Sequence, residues 1–253
     1  MEVVVVGSGT VAPRLERRQS CVVVRAGGET LAMDLGSGAV RGMLRAGLDP
    51  LAVDRIFVTH FHPDHTSDLV PLLFTLNYGS EEPRSRPLHV YGPEPFGRFY
   101  SALRDAWGEW MEGDYPLEVH VLPIEEGAAL DLPYGKLSWT PVRHRPESIA
   151  YRLEAGGRSF VYTGDTEYCR SVPALARGAD LLLVECSFPD DSPVPGHLTP
   201  SGVARIASEA SPKRVVLTHV YPKADERDLP EKVRKGGYPG EVHLARDGSR
   251  FVL

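Results

Sequence analysis

The sequence contains few cysteines, no long apolar run and no signal for export. Its three cysteines, Cys21, Cys169 and Cys186, are scattered and fit neither a paired disulfide framework nor a CxxC site. No apolar stretch approaches the roughly 18 residues of a membrane helix. The opening MEVVVVGSG lacks the basic region and length of a signal peptide. We therefore expect a soluble, cytoplasmic protein of a reducing compartment, without a membrane partner.

An excess of basic residues is also missing. The 253 residues include 28 Lys and Arg against 34 Asp and Glu, a formal net charge of −6. This balance argues against a broad surface for polyanions, although it leaves a local basic patch open. With 42% apolar and 25% charged residues, the composition is that of an ordinary globular protein.

Short β-branched runs recur along the chain and are bounded by Gly, Pro and Asp, as strands are. They cover residues 3–6, 21–25, 55–60, 88–92, 117–122, 159–165, 179–186, 214–219 and 249–253. Helices are predicted over 38–47, 66–79 and 199–211, and a final hairpin at the RDGS turn between VHLA and RFVL. No linker or repeat divides the chain, so we expect one domain over residues 1–253.

Residues 94–112 carry six aromatic or apolar side chains at helical spacing. We expect this segment to be a helix that docks on the core or forms a dimer contact, in preference to a lid over a ligand.

Histidine is concentrated in one stretch of the sequence, THFHPDH at residues 59–65. Of nine histidines in the chain, three fall within six residues, directly after the apolar run IFV. In an extended segment His60 and His62 project to the same side, and Asp64 and His65 follow in a loop. The pair can bind one ion while Asp64 and His65 reach a neighbouring ion. This ligand set suits zinc, with iron, manganese and cobalt as alternatives.

Further ligands are expected where other apolar runs end. His144 follows KLSWTPV, Asp165 follows FVYTG, and His219 follows VVLT. Each of these residues alone would more often be an ordinary residue at the end of a strand. Together with the first cluster they complete the ligands of a two-metal site.

These motifs resemble those of the metallo-β-lactamase-fold hydrolases, and the resemblance covers nearly the whole chain. The HxHxDH pattern matches residues 60–65, later motifs match His144, Asp165 and His219 in order, and Asp34 in MDLGSG matches the acidic turn of the family. The resemblance implies an α/β fold of the αββα four-layer sandwich type, with metals at one edge between the sheets. It implies a first ion held by His60, His62 and His144, a second held by Asp64, His65 and His219, and Asp165 as the bridge.

A carboxylate between two cations brings them to about 3.5–4 Å and offsets part of their repulsion. A hydroxide shared by the two ions is then the expected nucleophile, and Asp64 counts among the catalytic residues as well as the ligands. Asp34 is expected to orient a ligand from behind. A simple turn residue at a strand end is the alternative for Asp34.

The stretch PGHLTP resembles the phosphodiesterase branch of the family that includes ribonuclease Z. His197 is expected to give a hydrogen bond or a proton to the phosphodiester as charge develops. Two departures set the chain apart from the tRNA-processing enzymes. In the first, their PxKxRN loop reads PRLERR here, with Leu15 for lysine and Arg18 for asparagine. In the second, only residues 145–164 separate the third and fourth motifs, which leaves no room for a tRNA-gripping arm.

The sequence therefore predicts a dinuclear metal-dependent phosphodiesterase that acts on a small or nucleotide phosphodiester, such as a cyclic nucleotide or a cyclic ribose phosphate. Processing of the 3′ end of tRNA is disfavoured but stays an alternative, as does hydrolysis of thioesters, lactones or β-lactams. A diiron oxidoreductase of this fold would usually carry glutamate in place of His62. A non-catalytic binding protein would have lost ligands that are all present here. The resemblance also suggests a homodimer.

Overall fold

The valine run at the N-terminus shows why the central layers are sheets. The structure is a computed structural model that describes residues 1–224 and 228–253. Strand β1 (Glu2–Gly7) buries side chains on both faces. Val3 and Val5 face the core between the two sheets, while Val4 and Val6 pack against helices. Because successive side chains of a strand point to opposite faces, this run requires a layer on each side.

Two seven-stranded sheets form the inner layers. The first, in the order β14-β1-β2-β3-β4-β5-β6, contains β1, β2 (Cys21–Ala26), β3 (Glu29–Met33), β4 (Arg55–Phe57), β5 (Leu88–Pro93), β6 (Leu117–Leu122) and β14 (Ser249–Val252). The second, in the order β13-β12-β11-β10-β9-β8-β7, contains β7 (Ala128–Leu132), β8 (Gly135–Pro141), β9 (Ile149–Ala155), β10 (Arg158–Tyr162), β11 (Leu181–Glu185), β12 (Arg214–Thr218) and β13 (Glu241–Leu244).

Helices cover the outer face of each sheet. They are α1 (Ala39–Arg45), α2 (Pro63–Thr66), α3 (Leu69–Tyr78), α4 (Phe96–Trp107), α5 (Ser171–Leu175), α6 (Pro200–Ala210) and α7 (Leu229–Lys235), with 3₁₀ turns at Pro50–Ala52 and Gly108–Met111. Within the described residues, no helix is both long and apolar enough to span a bilayer. The predicted αββα sandwich is confirmed.

Strand direction decides where polar side chains gather. Strands β3 to β6 run parallel to one another, as do β10 to β13. The carboxyl ends of parallel strands meet at one edge of a sheet, and the connections that leave them form a crevice there. Asp34 follows β3, Asp165 follows β10 and His219 follows β12. The fold therefore collects residues from distant parts of the chain at one edge.

The predicted helix over 199–211 is observed as α6, which begins after the N-cap Thr199, whose hydroxyl accepts from the backbone of Gly202. The short segment before Asp165 forms the antiparallel pair of β9 and β10, joined by the EAGGRS turn. Two other local predictions differ from the structure. The predicted terminal hairpin does not form: β13 pairs with β12 in one sheet, and β14 pairs with β1 in the other. The predicted helix over 94–112 ends at Trp107, before Gly108 at φ +56°.

Asp247 lies in the connection between β13 and β14, which crosses from the second sheet to the first in place of the predicted hairpin, and it holds that connection. Its carboxylate accepts from the backbone and hydroxyl of Ser8 at 2.9 and 2.8 Å. It also accepts from the backbone of Arg18 at 2.8 Å and pairs with its guanidinium at 3.0 Å. The carbonyl of Ser8 in turn accepts from the backbone of His219. The RDGS turn thus ties both sheets together beside the crevice.

We propose that the chain folds as one domain, and that Asp247→Ala weakens it as a whole. Loss of the carboxylate leaves four donors without their partner, so the free energy of unfolding should fall by about 2–3 kcal/mol. Urea unfolding of metal-free protein, followed by far-UV circular dichroism and tryptophan fluorescence, measures this change and should show one shared transition.

Asp131→Ala is the control, because Asp131 is an exposed residue of β7. It should change the free energy of unfolding by no more than about 0.5 kcal/mol. Equal effects of the two substitutions would contradict the role of Asp247, and two separate transitions would contradict the single domain.

Candidate metal centre

Seven of the residues predicted as ligands converge at the edge between the sheets. They form two groups of facing donor atoms, His60, His62, His144 and Asp165 in one, and Asp64, His65 and His219 in the other. Within each group the donor atoms lie within 4.8 Å of one another. The two groups contain the same residues as the two ligand sets that the family resemblance implies, and Asp165 lies close to both.

Asp165 presents one oxygen to each group. Its Oδ1 lies 3.4 Å from Nε2 of His65 and 3.4 Å from Nε2 of His219. Its Oδ2 lies 3.9 Å from Nε2 of His60 and 3.8 Å from Nε2 of His144. Gly164 permits this placement of Asp165. Its backbone has φ +56°, and a Cβ there would come within 2.8 Å of the Thr59 side chain. The carboxylate has the placement of a bridge between two cations.

Two of the histidine rings are oriented by a buried carboxylate behind them. Asp34 accepts from the Nδ1 of His65 at 2.7 Å, from the backbone and hydroxyl of Thr59, each at 2.8 Å, and from the Tyr162 hydroxyl at 2.9 Å. The Thr59 hydroxyl donates to Asp34, so it accepts from Nδ1 of His60 at 3.0 Å. Both rings therefore carry a proton on Nδ1, which leaves Nε2 as the atom that faces the centre.

Two further rings are fixed in the same way from the second sheet. Nδ1 of His144 donates to the carbonyl of Gly196 at 2.9 Å. Ser187 donates its hydroxyl to Glu185 and accepts from Nδ1 of His219 at 3.0 Å. In each ring Nε2 is the nitrogen left to face the centre, as a metal ligand requires.

The inward-facing atoms have no other use inside the protein. Within the described part of the chain, Nε2 of His60, His65 and His219 and Oδ1 of Asp165 are buried without a hydrogen bond. Such atoms are costly to bury unless something compensates them. Nitrogen and carboxylate donors are the ligands that zinc and related divalent ions prefer. The residues present therefore fit divalent metal ions.

Burial and neighbouring charged groups shift the pKa values of His144 and Asp165. Burial lowers the pKa of His144 to about 4, and the neighbouring His197 and His62 contribute to the fall. Burial alone would raise the pKa of Asp165, but the histidines His219 and His65 outweigh it and hold that pKa well below its usual range. Asp165 is therefore ionised, and His144 is neutral, over the physiological range.

His197 lies beside the two groups and is held by a residue that the sequence analysis did not single out. Its Nδ1 contacts the two carboxylate oxygens of Glu185 at 3.1 and 3.3 Å. Glu185 is buried at the end of β11 and also accepts from the backbone of Thr166 and of Leu198. An acidic residue that ends the apolar run LLLV was the available signal. The pattern predicts only a strand over 179–186 at this place.

Comparison with known proteins identifies the family. A model described as a beta-lactamase superfamily domain matches residues 37–220. The chain belongs to this superfamily. It is 30% identical to the ribonuclease Z of Streptomyces coelicolor over an alignment that covers 100% of this chain and 97% of that protein. Its identity to the ribonuclease Z of Thermococcus onnurineus is 28%, over 87% of this chain and 84% of the relative.

Solved structures of superfamily proteins have the same fold. The metallo-beta-lactamase fold protein YhfI from Bacillus subtilis matches with a TM-score of 0.83 and 25% identity, over 99% of this chain and 98% of that one. Human tRNase Z, short form, matches with a TM-score of 0.81 and 25% identity over 100% of this chain and 99% of that one. This superfamily member is a metal-dependent hydrolase of the ribonuclease Z-like, phosphodiesterase type, and its centre binds divalent metal ions.

Asp165→Asn should remove most of the bound metal. The amide keeps one oxygen but replaces the other with a group that has no lone pair for a cation, so one of the two ligand groups loses its shared donor. We expect a metal content below one ion per chain after dialysis, measured by inductively coupled plasma mass spectrometry, and a loss of nearly all activity.

Asp131→Asn is the matched control, since it makes the same chemical change at an exposed residue of β7 that belongs to none of the ligand groups. It should keep the metal content of the wild type. An Asp165→Asn variant that retained two tightly bound ions would refute the assignment of Asp165 as the bridge.

Proposed function

We propose that the protein hydrolyses a small phosphodiester, a nucleotide diester or a cyclic phosphate, at a centre of two zinc ions in the cytoplasm. The arrangement of Asp165, with one oxygen toward each group of histidines, is the observation that carries the two-ion assignment. In this assignment His60, His62 and His144 hold the first ion, and Asp64, His65 and His219 hold the second.

The chemistry that the ions supply when bound is Lewis-acid stabilisation of the phosphoryl oxygens and a more acidic water. The protein residues supply position and proton control. Asp34 and Ser187 fix the rings of His65 and His219 so that the ligand atoms are in place before substrate arrives. Such preorganisation avoids reorganisation at the moment of reaction.

His197 is proposed as the acid that protonates the leaving oxygen. Burial alone would lower its pKa, but the hydrogen bond and the negative charge of Glu185 outweigh burial and raise that pKa above its ordinary value. With Nδ1 directed to Glu185, Nε2 is the free donor. The ring lies beside the centre, with centroid distances of 4.9 Å to His144 and 5.9 Å to His219. The raised pKa favours the protonated form of His197, whose ring lies beside the centre where a leaving alkoxide would need a proton.

A small substrate is supported by what surrounds the centre. The β9–β10 connection is a tight turn at Gly156 and Gly157, both at positive φ, and has no arm. The alignment with the Streptomyces coelicolor ribonuclease Z runs over 299 positions against 253 residues here, so that relative contains segments that this chain lacks. In the PRLERR loop Leu15 is 96% exposed, while Arg17 is buried and contacts Ser8 and the Ala245 carbonyl.

The second candidate function is cleavage of precursor tRNA. The observation in its favour is that the relatives aligned along the chain are named ribonuclease Z. The net charge of −6 and the short β9–β10 turn disfavour it, because phosphate contacts from basic residues provide most of the affinity for RNA.

His197→Ala should lower turnover without loss of metal. General acid catalysis contributes about 10²–10⁴-fold, and it matters most for a basic leaving group. We expect a loss of at least about 100-fold for the dinucleotide UpU or a 2′,3′-cyclic nucleotide, and a smaller loss for bis(p-nitrophenyl) phosphate, whose phenolate leaves easily. Steady-state rates on both classes, together with metal content, measure the difference. Equal losses on both classes would contradict an acid role, and unchanged turnover would remove His197 from catalysis.

The same assays rank the substrate classes. The wild type should hydrolyse the small diesters faster than it removes a 3′ trailer from precursor tRNA. Efficient tRNA cleavage would favour the second candidate function instead. A protein that holds two ions but hydrolyses no phosphodiester would contradict both.

Glu185→Gln should shift the pH profile to lower pH. In the wild type the carboxylate raises the pKa of His197, so the acid form persists as pH rises. Without the negative charge, burial lowers that pKa, and the fall of kcat on the alkaline side should begin at lower pH. Profiles of kcat for UpU measure this shift. A profile that falls at the same pH in both proteins would show that Glu185 does not set the protonation of His197.

We also infer a homodimer, with the aromatic groove between α3 and α4 as its contact. The groove has a volume of about 800 Å³ and is lined by apolar side chains that include Phe61, Phe99 and Leu103. Trp107, Trp110 and Phe74 at its rim are 51%, 48% and 45% exposed. Large exposed aromatic patches mark interaction sites.

Trp110→Glu should convert a dimer to a monomer, as judged by light scattering during size-exclusion chromatography. Leu44→Glu is the control, since Leu44 is 61% exposed on α1, and it should leave the mass unchanged. A monomeric wild type would contradict the dimer.

A further inference from the structure

A second cluster of ligand-type side chains lies away from the centre described above. His89 on β5 and Glu118 and His120 on β6 bring their donor atoms together. His89 is paired in register with Arg55 at the start of β4, whereas His60 follows the end of that strand. Among the described residues, the cluster shares no ligand with the metal centre.

The register of two parallel strands creates this cluster. His89 is opposite Glu118, and Tyr91 is opposite His120. Residues two apart on a strand project to the same face, so His120 and Glu118 stand beside each other next to His89. The three side chains come from the edge of the first sheet, where they are 20%, 53% and 36% exposed for His89, Glu118 and His120.

The three donor atoms form a nearly equilateral triangle. Nδ1 of His89 lies 3.3 Å from Nε2 of His120 and 3.3 Å from a carboxylate oxygen of Glu118. That oxygen lies 3.5 Å from Nε2 of His120. Ligand atoms about 2.0–2.1 Å from zinc at tetrahedral angles are separated by about 3.3–3.4 Å. The triangle thus has the dimensions that one zinc ion requires, with a fourth position open to solvent.

The surroundings keep the triangle in place. The ring of Tyr91 stacks on that of His120 with centroids 4.4 Å apart and an interplanar angle of 12°. Burial lowers the pKa of His120, and the nearby His89 contributes, so His120 is a neutral ligand at physiological pH. Arg55 is the nearby cation, and its guanidinium is bound by Glu29 at 2.6 and 3.1 Å, which offsets its charge.

We propose that His89, Glu118 and His120 bind a third divalent transition-metal ion, zinc by preference, at a site distinct from the catalytic centre. Two imidazoles and one carboxylate are an established ligand set for zinc. The ion cross-links β5 to the edge strand β6. These strands flank the segment that carries α4 and the exposed Trp107 and Trp110.

Zinc stoichiometry tests this proposal. Metal-free wild type and His120→Ala are titrated with zinc against a chromophoric chelator, and the number of bound equivalents is counted. The wild type should bind one equivalent more than the variant. This difference does not depend on how many ions the catalytic centre takes, so the test stands even if the proposed function fails. His120→Ala should keep the wild-type rate on diesters.

His243→Ala is the matched control. His243 is also a partly exposed strand histidine beside a glutamate, with Nε2 at 2.6 Å from Glu241, but it is part of no three-residue ligand group within the described chain. It should bind as many equivalents as the wild type. His89→Asn provides a second variant, which should lose the same equivalent as His120→Ala, with circular dichroism to verify folding.

Equal zinc binding by the wild type and His120→Ala would overturn the proposal and leave the two rings as a pair that shares a proton. A loss of the same equivalent in His243→Ala would overturn it too, because the extra ion would then be a general property of surface histidines.

Discussion

Buried lone pairs that only cations can satisfy are the constraint on which the rest of this structure depends. Five imidazoles and two carboxylates point into one crevice, and several of their inward atoms have no hydrogen bond. Without cations such atoms would be expensive to bury. The two sheets meet at this crevice, and residues from both contribute, so metal binding and the packing of the sandwich depend on each other.

The residues behind the ligands give the centre its chemistry. Asp34 fixes histidines of the first sheet, while Ser187 and Glu185 connect His219 to His197 in the second. Glu185 therefore affects both the orientation of a ligand and the protonation of the proposed acid. One buried carboxylate thus reaches two neighbouring histidines, His219 through Ser187 as a candidate ligand and His197 directly as the proposed acid.

The sequence predicted what depends on local pattern and missed what depends on pairing between distant strands. The candidate ligands His144, Asp165 and His219 can be predicted because each is a ligand-type residue shortly after an apolar run. Glu185 has a similar position after LLLV, but it belongs to none of the ligand motifs, so the pattern predicts only the end of a strand. The terminal hairpin was wrong because the RDGS turn signal does not reveal that its flanking strands join different sheets. The triangle of His89, Glu118 and His120 arises only from the register of β5 against β6.

The most direct test of the account is the position of the bound ions. Crystals of zinc-loaded protein should give, at the zinc absorption edge, two anomalous peaks on either side of the Asp165 carboxylate, about 3.5–4 Å apart. One peak lies among His60, His62 and His144, and the other among Asp64, His65 and His219. A single peak at this crevice, or two peaks that do not share Asp165, would contradict the two-ion centre on which the proposed hydrolysis rests.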